Sequence, residues 1–140
     1  MRINLTRYIF NADMMHVVTA PATYSLIIPL VLLDIFVSVY QVVCFPVYGI
    51  EKVKRGDYMI FDRYHLAYLN LLEKINFAYC SYGNGMLGYA REIAGRTEQY
   101  FCPIKHARRV VTAHESYDHF AEFDDAQAFR KISGKTWGAL

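Results

Sequence analysis

The first 50 residues of the chain are almost without charge. Of the 28 charged side chains (15 basic and 13 acidic), only Arg2, Arg7, Asp13 and Asp34 lie there, which leaves 24 in residues 51–140. The net charge of +2 is small. It excludes a protein that binds nucleic acid by electrostatic attraction, because such domains have a pronounced basic excess.

Several kinds of chemistry lack their motifs. Three cysteines cannot pair completely, so the chain has no disulfide framework. It contains no glycine-rich phosphate loop, no nucleophile elbow and no H-E-x-x-H pair. We therefore assign no catalytic residues, and the sequence favours a role that is not enzymatic.

What the sequence does have is a long apolar run, residues 22–43. As a helix it would measure roughly 33 Å, close to the thickness of the hydrocarbon core of a bilayer. Pro29 is expected to kink this helix, because proline lacks a backbone N–H. Asp34 and Gln41 are predicted to be intramembrane polar residues that contact a partner, since a charge within a membrane segment requires one. Crossing the membrane, re-entering it and lying on its surface all stay open.

The residues that follow the apolar run predict its orientation. Lys52, Lys54 and Arg55 outnumber the single anion Glu51, and cationic flanks face the cytoplasm. We therefore expect residues 1–50 to associate with a membrane. Residues 51–140 are expected to form a helical domain in the cytoplasm.

The charged part of the chain has helical periodicity. From Arg63 to Tyr100, residues that share one helix face recur at spacings of three and four. The Gly83-Asn84-Gly85 centre is expected either to separate two helices or to be approached by another backbone, and we favour the second. Pro103 suits the first turn of a further helix, and Asp124 and Asp125 suit the cap of a short last one. The predicted class is all-α: an N-terminal apolar membrane-type helix, a long helical hairpin and a short C-terminal helix.

A polar line follows the long predicted helix. We predict that it is an interaction face for a partner chain, lipid headgroups or another helix, and its members are Asn70, Glu73, Asn84 and Arg91.

A metal site is the second candidate. The three cysteines and one histidine would make a Cys₃His set if they converge: Cys44, Cys80, Cys102 and His106. Zinc or iron would be the cofactor. The spacing contains no C-x-x-C pair, so burial of Cys44 and Cys80 as small apolar side chains is the favoured interpretation.

Several segments carry a family resemblance: CFPVYGI, FDRYHLAYLN, YCSYGNG and REIAGRTEQYFCPIKHARR. With them the chain resembles a family of small uncharacterised bacterial membrane-associated helical proteins. The resemblance implies that the expected membrane is a bacterial inner membrane, and it implies no activity. In that family a second cysteine stands where this chain has Phe77, and this departure weakens the metal hypothesis.

The leading hypothesis is a small membrane-associated helical protein with a structural or accessory role, as a subunit of a larger membrane complex. Its expected partners are membrane lipid and another membrane protein or further copies of this chain, and not nucleic acid. The first alternative is a Cys/His metal-binding or redox protein. The second is a soluble helical bundle in which residues 14–50 form the core.

Overall fold

The computed structural model describes residues 14–111 and 113–136, with the backbone alone at Tyr64 and residues 134–136. This part of the chain has no strand, so the all-α class is confirmed. Within residues 14–136 the structure describes four α-helices: α1 (Met14–Ser25), α2 (Ile27–Tyr48), α3 (Leu71–Phe101) and α4 (Ala126–Thr136). Three short 3₁₀ helices are Arg55–Asp57, Asp62–His65 and Glu115–His119. Of the predicted membrane-associating residues 1–50, those before Met14 lie outside the described residues.

Pro29 interrupts the apolar segment, as the sequence predicts. A proline at this position cannot donate to the carbonyl of Ser25, and α1 ends at that residue. The helical bonding resumes with the amide of Leu30, which donates to the carbonyl of Leu26 at 3.3 Å. Together, Met14–Tyr48 is one helical stretch that is long and apolar enough to cross a membrane.

Helix α2 ends at a glycine. Gly49 has a φ of +68°, a backbone conformation that only glycine adopts without steric cost. The amide of Ile50 donates to the carbonyl of Phe45 at 2.9 Å, and that of Gly49 donates to Pro46 at 3.4 Å. This pair of bonds satisfies carbonyl groups in the last turn of the helix.

Helix α3 begins later than the periodicity predicts. The prediction that the helix starts at Arg63 is wrong, because the α-helix starts at Leu71. Asn70 and Glu73 form a reciprocal cap: the Asn70 side chain accepts from the Glu73 amide at 2.9 Å, and the Glu73 carboxylate accepts from the Asn70 amide at 2.8 Å. These bonds satisfy backbone donors that the first turn leaves free, and so they fix where the helix starts.

The glycine-rich centre does not break α3. The helix continues through residues 83–85, and another backbone approaches it there, as predicted. A Cβ on Gly85 would overlap the carbonyl oxygen of Tyr58 and would lie 3.0 Å from the sulfur of Met59. Gly85 is therefore required for the close approach of the segment that precedes α3.

The prediction of a second long helix, which would begin at Pro103 and complete a hairpin with α3, is wrong, because no α-helix begins there. The carbonyl of Pro103 accepts from the amide of Ala121 at 2.9 Å, and the amide of Lys105 donates to the carbonyl of Ala121 at 2.7 Å. These groups pair with a distant residue and are not available for the first turn of a helix. The short last helix is confirmed, and the Asp125 carboxylate caps it by accepting from the Ala128 amide at 2.9 Å.

The chain divides into two compact units. The first contains α1, α2 up to Val39, and Lys54–Tyr89. Its most buried apolar side chains are Met86 and Tyr89. The second contains Tyr40–Val53 and the chain from Ala90 onward. Its buried apolar side chains are Phe45, Val53, Ile93, Phe120 and Ala121.

Candidate functional site: a buried carboxylate on the apolar helix

Asp34 is the charged residue of α2, and it is buried in the first unit. Only 8% of the residue is exposed, although its neighbours along the helix include many exposed apolar side chains. A buried carboxylate is costly unless hydrogen-bond donors surround it. The surroundings of Asp34 therefore decide what this residue can do.

Three side chains of the first unit bind the Asp34 carboxylate. Arg55 donates to Oδ1 from Nε at 3.2 Å and to Oδ2 from Nη2 at 2.5 Å. The hydroxyl of Tyr82 donates to Oδ2 at 2.9 Å, and the hydroxyl of Ser38 donates to Oδ1 at 3.2 Å. We call these four residues the Asp34 cluster.

The cluster uses the whole acceptor capacity of the carboxylate. An ionised carboxylate has about four lone-pair sites, and Asp34 accepts four hydrogen bonds. No acceptor site is left for a substrate proton or a metal ion. The arrangement joins α2, α3 and the Arg55 segment, and its chemistry is that of a structural ion pair.

The charges of the cluster stabilise one another. The hydrogen bond to Asp34 raises the pKa of the Arg55 guanidinium above its usual range. The pKa of the Tyr82 phenol is also raised, first because burial disfavours the phenolate and then because its hydroxyl donates to Asp34. The raised pKa values favour a positively charged Arg55 and a neutral Tyr82. These are the protonation states in which both side chains donate hydrogen bonds to Asp34.

Gln41, the second predicted polar residue of α2, lies in the second unit and is 6% exposed. Its side-chain amide pairs with the backbone of Val53: Oε1 accepts from the amide at 2.8 Å, and Nε2 donates to the carbonyl at 3.2 Å. Asp34 and Gln41 thus both find partners within the chain. Sequence reasoning missed these partners, because they are 12 and 21 residues away along the chain and no local pattern links them.

The four residues of the predicted interaction face have different hydrogen-bond partners within the chain. Asn70 and Glu73 are used in the cap of α3. Asn84 is exposed and donates to the carbonyl of Cys80 on its own helix at 2.9 Å. Arg91 is exposed in the second unit and donates to the carbonyl of Ala113 at 2.5 Å. A partner-binding face formed by these four residues stays a prediction.

The predicted metal ligands are not assembled. Cys80 lies in the first unit, and the other three residues, Cys44, Cys102 and His106, lie in the second. Cys80 and Cys102 are exposed, so the prediction that Cys80 is a buried apolar residue is wrong. Among the described residues no group of three or more histidine, cysteine or acidic side chains could hold a metal ion.

A histidine and a carboxylate do meet in the second unit. Nε2 of His114 lies 3.2 Å from Glu98, and the imidazole packs against Gly95 and the ring of Phe120. His106 lies nearby, with its backbone amide bound to the hydroxyl of Tyr117 at 2.7 Å. These contacts hold the segment that follows α3 against that helix. The His114 imidazole and the Glu98 carboxylate pair with each other in doing so.

The distribution of polar and apolar side chains on α2 is the reverse of that on a surface helix of a soluble protein, an arrangement that we call inverted polarity. Its inward stripe contains the polar residues Asp34, Ser38 and Gln41, none of them exposed. Its outward surface is apolar, and the large exposed side chains are Ile28, Val31, Leu32, Leu33, Ile35, Phe36, Val39, Val42, Val43 and Val47. A contiguous apolar surface of this kind indicates contact with a partner or a membrane.

Comparison with family models, with curated proteins and with solved structures found no match to this chain. The family resemblance of the sequence segments therefore stays a prediction.

Proposed function

We propose that this protein is a membrane-associated helical accessory protein whose α1–α2 surface contacts lipid in a bacterial inner membrane. The inverted polarity of α2 is the observation that carries the proposal. In water, exposure of so many large apolar side chains is unfavourable, by about 25 cal/mol for each Å². In lipid the same surface is stable, and the polar stripe is satisfied by the protein itself.

The role we propose is structural. The Asp34 cluster binds three parts of the first unit to one another and leaves the carboxylate no free acceptor site. The cluster thus holds the apolar helix against the charged part of the chain. Membrane lipid is the first partner, and a second membrane protein or further copies of the chain complete the proposed complex.

Membrane fractionation of the full-length protein tests the proposal. We expect the protein to stay in the membrane pellet after carbonate extraction and to be released by detergent. Its intact mass should show that Met14–Tyr48 is retained, because a cleaved signal sequence would also be long and apolar. Release by carbonate, or loss of this segment, would contradict the proposal.

A pair of matched variants separates lipid contact from general damage. Ile35 on α2 is 54% exposed, and Ile60 in the segment before α3 is 57% exposed. We expect Ile35→Glu to move protein from the membrane to the soluble fraction, and Ile60→Glu to leave the distribution unchanged. Equal behaviour of the two variants would count against the apolar surface of α2 as the lipid contact.

Purification in a mild detergent tests the accessory role. A second protein that co-purifies in a fixed ratio with the wild-type chain would support the role of a complex subunit. Recovery of the chain alone as a monomer would contradict that role without affecting lipid contact.

A further inference from the structure

A charged segment, residues 54–63, packs along α3 within the first unit and contacts the apolar helix α2 through Arg55. At one end, Arg55 binds Asp34. Further along, the guanidinium of Arg63 lies over the ring of Phe77 on α3, 6.0 Å from its centroid. The same part of α3 contacts α1, because the hydroxyl of Tyr79 donates to the carbonyl of Thr23 at 2.6 Å.

These contacts fix the extent of the charged segment. It follows α3 from Gly88, which the ring of Tyr58 approaches, back to Phe77, near the level at which Tyr79 contacts Thr23. Asp34 and Thr23 are 11 residues apart in the apolar stretch. Eleven helical residues measure about 16 Å, roughly half the thickness of the hydrocarbon core. Asp34 itself lies near the middle of the Met14–Tyr48 stretch.

The charged segment has the properties of a surface loop. Between Lys54 and Asn70 the backbone contains two 3₁₀ turns and no α-helix. Its charged residues are exposed, among them Lys54, Asp57, Asp62 and Arg63, and Arg55 keeps 49% of its side chain exposed while it binds Asp34.

Such a segment does not fit the interior of a bilayer. If α1 and α2 crossed the membrane, the segment would lie at the depth of the hydrocarbon core. Irregular backbone exposed to lipid does not occur there, because its polar groups have no water to bind. Exposed charges at that depth are unfavourable as well.

The outward face of the apolar helices is free of charge, because Asp34 is the charged residue of Met14–Tyr48 and it is buried. Ile28, Ile35 and Val39 share the outward face of α2, and each is more than half exposed. On α1 the exposed apolar residues include Met14, Met15 and Val18. The first unit therefore has an apolar side formed by α1 and α2 and a charged side formed by the segment from Lys54 to Arg63.

We infer that α1 and the first half of α2 lie in the plane of the membrane surface and do not cross it. Their outward face inserts at the boundary between headgroups and acyl chains, and the Lys54–Arg63 side faces water. Interfacial helices bury their apolar face only about 5–10 Å deep, which keeps the charged segment in the aqueous phase. The inference rests on the proposed lipid contact and adds to it the side and depth of insertion.

Depth measurements with spin labels test this arrangement. The full chain would have Cys44, Cys80 and Cys102 replaced by serine, and single cysteines would be introduced by Ile28→Cys, Ile35→Cys, Val39→Cys or Asp57→Cys. Each labelled protein would be bound to vesicles of equal parts phosphatidylcholine and phosphatidylglycerol. Collision with oxygen and with a water-soluble nickel complex then gives the depth of each label. Circular dichroism and vesicle flotation of the serine-substituted protein verify its fold and binding.

The in-plane arrangement predicts one shallow depth for the three α2 labels and a label at residue 57 that is accessible to nickel. A crossing helix predicts that all three α2 labels lie deep in the hydrocarbon core, with residues 28 and 39 on opposite sides of the bilayer midplane, and that a label at residue 57 is protected from nickel. That result would overturn the inference while leaving lipid contact intact. Failure of the protein to float with vesicles, or its recovery as a water-soluble oligomer, would overturn the proposed lipid contact itself.

Discussion

Arg55 binds both carboxylate oxygens of Asp34, 21 residues earlier in the chain, at 3.2 and 2.5 Å. The two partners differ in burial: 49% of the Arg55 side chain is exposed, but only 12% of the Asp34 side chain is. Water can therefore solvate the guanidinium when it loses its partner, whereas the carboxylate stays buried. Substitution of Arg55 should therefore change the free energy of unfolding by a different amount from substitution of Asp34.

We expect Arg55→Met to be more destabilising than Asp34→Leu. The first change leaves a buried carboxylate without its cation, at a cost of about 3 kcal/mol. The second leaves an arginine that can turn toward water, and we expect a loss of about 1 kcal/mol. Thermal and denaturant unfolding in a mild detergent measure both, and the double variant Asp34→Leu/Arg55→Met should be less destabilised than the sum of the two. Equal losses for the two single variants would contradict the assigned burial.

Tyr82 is expected to make the folded protein less stable as the pH becomes alkaline. Its pKa is raised by burial and by the hydrogen bond to Asp34, so the folded protein retains a proton that the unfolded chain releases. Its contribution is complete below the ordinary tyrosine pKa of about 10 and is lost as pH rises through the higher pKa of the folded state.

The experiment compares wild type with Tyr82→Phe. The variant should be less stable than wild type at pH 8, because the hydroxyl that donates to Asp34 is absent. The difference in unfolding free energy should shrink above about pH 10. A difference that stays constant over this range would show that the phenol of Tyr82 does not titrate with a raised pKa.

The sequence predicted those parts of the fold that depend on local signals. Pro29 marks the boundary between α1 and α2 because it lacks a donor, and Asp125 caps α4 as its position before the helix suggested. It also predicted that Asp34 needs a partner, since a buried charge does. The identity of that partner depends on tertiary packing, and Arg55 was interpreted only as a flanking cation.

The helix predicted from Pro103 was wrong because the backbone there pairs with a distant part of the chain. The stretch after Pro103 has helical periodicity, yet Pro103 and Lys105 bind Ala121, 16 to 18 residues away. Periodicity does not report such long-range pairing. The start of α3 was predictable in principle, because Asn70 and Glu73 have the spacing of a reciprocal cap.

Removal of that cap provides a prediction for the start of α3. Asn70→Ala removes the side-chain oxygen that accepts from the Glu73 amide, and caps of this kind contribute about 1 kcal/mol. We expect a loss of that size in the unfolding free energy. Asn70→Asp should retain most of it, since aspartate is an equally good cap. Hydrogen exchange should quicken in the first turn of α3 only; uniform quickening along the helix would argue against a local cap.

Two glycines of α3 provide a matched pair. A Cβ on Gly83 would lie 3.5 Å from Cδ1 of Leu30, an ordinary contact, whereas a Cβ on Gly85 would overlap the backbone oxygen of Tyr58. Alanine is favoured over glycine in a helix interior by about 1 kcal/mol. Gly83→Ala should therefore be neutral or stabilising by up to that amount, and Gly85→Ala should lose about 1–3 kcal/mol through overpacking. Unfolding of the two variants side by side measures the contrast. If Gly85→Ala were as stable as Gly83→Ala, the segment at Tyr58 would not approach α3 closely. The placement of residues 54–63 along α3, and with it the charged side of the first unit, would then be contradicted.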